Sequence, residues 1–96
     1  MLKKILKRID KEIEAAKDYV DQAFKVKNDR HSLSDLFIEL AKEEIIHAEK
    51  LIKEGNSIMS SLTEPDEFIP VWKWMCHKNT GCINDLNVKI NHYRSY

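Results

Sequence analysis

The sequence predicts an all-α fold: two long antiparallel helices joined as a hairpin, followed by one or two short C-terminal helices. Three observations carry this. Apolar residues recur at helical spacing over residues 2–24 and again over residues 33–51. The periodicity lapses between them, at residues 25–30, where Asn28 and Asp29 favour a turn. Both glycines and both prolines fall late, at Gly55, Pro65, Pro70 and Gly81.

Helix one places Leu2, Leu6, Ile9, Ile13, Ala16, Val20 and Phe24 on one face. His31 falls in the loop and reads as a solvated residue. Ser32 or Ser34 is suited to cap helix two, with Asp35 in the first turn, where the helix dipole favours a negative charge. Helix two is expected to run to about Glu54 and stop at Gly55. Its buried stripe is read as Leu33, Phe37, Leu40, Ala48 and Leu51. Beyond it, Pro65 and Pro70 break or start short elements around "VWKWMCH". Gly81 then separates a second short stretch with Ile83, Leu86, Ile90 and Tyr93 on one face. Trp72 and Trp74 cannot share a helical face, so one should pack on the hairpin or a neighbouring subunit and the other mark an interface. The expectation is one domain over 1–96, with the hairpin over 1–55 and a short helical segment over 56–96.

A chain of 96 residues holds a small core and gains from a metal, a staple or a partner chain. Sixteen Lys and Arg against sixteen Asp and Glu leave no basic excess for nucleic acid. The basic opening (Lys3, Lys4, Lys7, Arg8) is balanced by Asp10, Glu12 and Glu14, as on a solvated face. No apolar run is long enough to span a bilayer and no signal-peptide core is visible, so the expected setting is the cytosol, without membrane association. Two cysteines make no secreted disulfide framework.

The segment "EEIIHAEKL" carries the chemistry. Glu44 and His47 continue the stripe of Leu33, Phe37, Leu40 and Leu51, one turn apart on one helical face. An ionised carboxylate withdrawn from water costs several kcal/mol unless a base or a cation compensates it. No Lys or Arg lies on that stripe of helix two, so a cation is the simpler partner. Helix one has to supply a further ligand. At about 100° per residue, Glu12 lies roughly 70° from the centre of its stripe and Glu14 roughly 130°. Glu12 is the better candidate, although Glu14 stays open as the alternative, and Glu12 without Glu44 would read as a solvated edge residue. Tyr19 stands two turns after Glu12 on the same edge. In an antiparallel hairpin Glu12 and Glu44 fall at comparable distances from the loop.

"KEEIIHAEKLIK" resembles the Glu-x-x-His segment of ferritin-like proteins, and Glu12 followed by Tyr19 resembles their partner helix. The resemblance covers roughly residues 5–54. With one Glu-x-x-His and two long helices, the chain is similar to half-length encapsulated ferritins, in which two subunits complete a four-helix bundle. That resemblance implies a homodimer, in some relatives a larger ring, with a di-iron centre at the subunit interface. Glu44 would bridge the irons, Glu12 and His47 would hold one each, and Tyr19 would sit behind them. It implies a ferroxidase that oxidises Fe(II) to Fe(III) with O2 or peroxide for iron storage or detoxification. Manganese or a mixed-metal centre would use the same ligands. Glu43 and Glu49 would pass ions inward or simply keep the helix soluble. An encapsulin shell is a compartment known for such relatives, but "NHYRSY" does not resemble their cargo peptide.

Two other readings stand beside this one. Cys76, His77, Cys82 and His92 are zinc-ligand types, but the C-x5-C spacing is not that of a short zinc knuckle. Cys76 reads more simply as a packed helix residue and Cys82 as a loop thiol. There is also no C-x-x-C pair for a rubredoxin-like electron donor. The alternative function is a non-enzymatic helical dimerisation module, with Glu44 and His47 hydrogen-bonded across its interface.

Overall fold

Three seams with steps of four and three residues build the molecule. On the first helix the seam is Leu2, Leu6, Ile9, Ile13, Ala16, Val20 and Ala23, all buried. On the second, Ser34, Ile38, Ala41, Ile45, Ala48 and Gly55 are buried, with Ile52 packed against them. On the third it is Trp72, Cys76, Asn79, Ile83, Leu86, Ile90 and Tyr93. Such spacing keeps one narrow stripe facing its partners along a whole helix, as in a coiled coil. The computed structural model describes residues 1–62 and 66–95; Pro65, expected to break or start an element, lies outside them. It contains α1 (Leu2–Val26), α2 (His31–Ser61) and α3 (Ile69–Ser95), and no strand among the described residues. They form an up-down-up rod of 55 × 17 × 15 Å.

Several boundaries differ from the sequence reading. α2 does not stop at Gly55 but runs on to Ser61. Gly55 is there for closeness, not for termination: a Cβ on it would run into the six-membered ring of Trp72. Trp72 is wholly buried and its indole N–H donates to Asn56 Oδ1 at 2.9 Å. Trp74 is 63% exposed. The one or two short C-terminal helices are a single helix of 27 residues. Pro70 sits in its first turn, where a missing N–H costs nothing. Gly81 lies in mid-helix, its roughly 1 kcal/mol penalty relative to alanine outweighed by the seam on either side. Cys82 is therefore a helix residue and not a loop thiol.

His31 opens α2 instead of lying in the loop, and Arg30 precedes it without a side-chain cap. Neither serine caps the helix. Ser34 is buried: its Oγ lies 2.7 Å from Ala23 O and 2.7 Å from the Tyr93 hydroxyl. Asp35, past the first turn, accepts from that hydroxyl at 2.8 Å. Ser34 and Tyr93 have two hydroxyl protons between them, so two of these three contacts carry a proton at any moment. Lys27 adds its ammonium to the Tyr93 carbonyl oxygen at 2.6 Å, and Phe24 meets the Tyr93 ring edge-on at 5.5 Å. α3 is thus fastened at both ends, by Trp72 near the end of α2 and by Tyr93 beside the α1–α2 turn.

Of the stripe Leu33, Phe37, Leu40, Ala48 and Leu51, Ala48 lies in the buried seam and the other four do not. Those four are half-buried and form a second stripe flanking the seam. The physical reason is size. The small Ala41, Ala48 and Gly55, alternating with Ile38 and Ile45, let the helices approach, and Phe37 and the leucines take the flank.

Candidate metal centre

The flank of the hairpin follows one register. The residue just before Ile13 is Glu12, and those seven positions to either side are Ile5 and Tyr19. On α2 the residue just before Ile45 is Glu44, flanked likewise by Phe37 and Leu51. In the antiparallel pair Tyr19 stacks on Phe37, with ring centroids 6.1 Å apart. The same register sets Glu12 against Glu44 and Ile5 against Leu51. The two carboxylates therefore occupy one layer between apolar layers. His47 reaches that layer from one turn beyond Glu44.

Glu12, Glu44 and His47 each offer one ligand atom, and these three atoms lie within 4.8 Å of one another. Glu12 is 6% exposed, Glu44 is half-buried and His47 lies at the surface. His47 Nδ1 is 3.6 Å from Glu12 Oε2 and 3.9 Å from Glu44 Oε1. Both separations are too long for hydrogen bonds. They suit two atoms on a shared cation: with bonds of about 2.1 Å, neighbouring ligand atoms lie about 3 Å apart at a right angle and about 4.2 Å apart when opposite. Two carboxylate oxygens and an imidazole nitrogen are a donor set that accommodates iron, manganese or zinc.

Sequence reasoning missed Arg8. It stands one turn before Glu12 and donates from Nε to Glu12 Oε1 at 2.8 Å. It compensates Glu12 and not Glu44, the carboxylate on whose stripe of α2 no base lies. The signal was present as an i, i+4 pair of opposite charge.

The other candidates separate from this cluster. Glu14 is exposed and lines a groove between α1 and α3 with Lys17 and Asn79, on the far side of α1 from Glu12. Tyr19 contributes its ring to the layer above. Glu43 and Glu49 are exposed. Cys76, His77, Cys82 and His92 do not join in a ligand cluster; Glu12, Glu44 and His47 form the one such group among the described residues. Cys76 is buried, and that burial pushes its thiol pKa up, away from the reactive thiolate. No helix among the described residues is long and apolar enough to cross a membrane.

The chain matches no protein-family model, no curated protein and no solved structure.

Proposed function

We propose that this chain is half of a ferritin-like iron-oxidising protein, in which two copies join through the Glu12–Glu44 flank and share a di-iron centre. The observation that carries this reading is the spacing of His47 Nδ1 from both carboxylates, too long for hydrogen bonding and suited to common ligation. Fe(II) is the substrate, and O2 or peroxide the oxidant. A pair of irons held side by side supplies two electrons together and leaves two ferric ions for storage or detoxification.

The chain's own groups have separable tasks. Glu12, rooted in the buried layer, fixes the position of the site. Glu44, half-buried at the outer edge, would hold metal on the side turned towards a second copy. His47 is the exposed ligand and the one that incoming iron meets first. Three ligands leave much of a metal's coordination sphere open, and a two-fold partner would bring three more. The surrounding surface suits such a partner. Ala15 on α1 and Leu33, Leu40 and Leu51 on α2 are only half-buried on the same flank. A small residue set among leucines leaves room for another helix to pack closely.

A second reading has its own observation. Because Arg8 already compensates Glu12, the hairpin has no strict need of a metal. On that reading the same flank is a dimerisation surface without enzymatic activity. Native mass spectrometry of the protein titrated anaerobically with Fe(II) separates the two. Two irons per dimer and none on the monomer are expected for the shared site. Dimers that take up no iron would leave the interaction module, and iron on monomers would sink the two-fold arrangement.

A further inference from the structure

We propose that Arg8 is the resident counter-ion of the metal centre, an electrostatic gate on Glu12 that is displaced when a cation enters at the carboxylate oxygen Arg8 leaves free. The inference rests on the reading of Glu12, Glu44 and His47 as a metal site. Glu12 has two carboxylate oxygens, and the structure assigns them different neighbours. Oε1 accepts from Arg8 at 2.8 Å, and Oε2 faces His47. One oxygen of the buried ligand is thus occupied by a positive group of the protein's own.

The two partners differ sharply in freedom. The Glu12 side chain is 8% exposed and the Arg8 side chain 66%. Glu12 cannot leave; Arg8 can. Its guanidinium always carries charge, so pH does not release it within any ordinary range. Only competition does. A divalent cation on Glu12 brings a second positive charge beside the guanidinium, and the long, solvated arginine swings out into water. Removing Arg8 should therefore tighten metal binding and leave the empty protein less stable, because a buried carboxylate loses its partner. A purely structural arginine, one that holds Glu12 in its ligating pose, predicts the opposite sign: its loss would weaken binding.

The test compares wild type with Arg8→Gln and Arg8→Lys. Mn(II) alone is the probe, and its affinity is read by calorimetry and by the electron-spin signal of free Mn(II). Arg8→Gln should bind Mn(II) about three to ten times more tightly, equivalent to about 0.7–1.4 kcal/mol. Arg8→Lys should stay near wild type. The melting temperature of metal-free Arg8→Gln should fall and be restored by Mn(II) to a larger degree than in wild type. Unchanged or weaker binding by Arg8→Gln, with wild type binding normally, overturns the gate. If neither protein binds Mn(II) or Fe(II), the metal centre itself fails and the gate with it.

Discussion

At the scale of single residues, Gly55 and Glu44 mark two different uses of a helix surface. Gly55 is a contact point: its missing side chain is where the Trp72 ring sits. Gly55→Ala gains about 1 kcal/mol of helix propensity. It also forces a rigid indole out of a filled site, and overpacking of that kind costs about 1–3 kcal/mol. The loss should win by about 1 kcal/mol, lowering the melting temperature by roughly 4–8 °C. A thermal melt that rises instead would mean Trp72 moves freely. Glu44 is a candidate ligand. Glu44→Leu should abolish iron uptake in the titration while leaving the melt unchanged or higher, since it extends the apolar flank. Intact iron binding by that variant would remove Glu44 from the site. His47 and Glu44 were legible in the sequence because two polar residues interrupted an apolar stripe. Arg8 was not, because its significance depends on how deeply Glu12 is buried, and residue spacing alone does not give depth.

At the scale of elements, α3 departs furthest from its sequence reading. Its seam of Trp72, Cys76, Asn79, Ile83, Leu86, Ile90 and Tyr93 keeps steps of four and three without a break. Asn79 at a seam position and Gly81 beside it hid that regularity, and the helix read as two pieces. Asn79 fits because its side-chain amide donates to Asp10 on α1 at 3.3 Å. The hairpin was easier to read, since its length and turn are local features. Its seam was less so, because alanines and a glycine carry little hydropathy although they permit the closest approach. The C-terminal anchor of α3 yields a pH prediction. Burial, above all, together with Asp35 raises the Tyr93 pKa in the fold. A raised value means the neutral phenol is favoured by folding. Its contribution is therefore complete below the ordinary value of about 10 and is lost as pH rises through the folded value. Tyr93→Phe should cost about 1–2 kcal/mol near neutral pH through the lost hydrogen bonds. Its urea midpoint should then fall less than that of wild type as the pH is taken from about 9 to about 11. Parallel declines in the two proteins would show that Tyr93 is not the group responsible.

At the scale of the whole molecule, α3 changes what the hairpin needs. From sequence, the hairpin's apolar face calls for a second copy as cover. The structure covers one side of that face within the chain, with α3 against the Asp10, Ile13 and Lys17 side of α1. The Glu12–Glu44 flank is on the other side. On the proposed reading, association would use that flank, which carries the candidate ligands.

The up-down-up course has a consequence for the order of assembly. α1 and α3 run parallel, so their contact cannot form until α2 has carried the chain back along the rod. The turn at residues 27–30 closes the hairpin between sequence neighbours, whereas Tyr93 finds Ser34 across 59 positions. Closing the longer loop is the costlier event in chain entropy. The hairpin, with Glu12 and Glu44 already in one layer, is therefore the natural first-formed unit, and α3 docks onto a surface that exists before it arrives. In reverse, α3 is the part that can peel away first, leaving the two helices that carry the candidate ligands still paired.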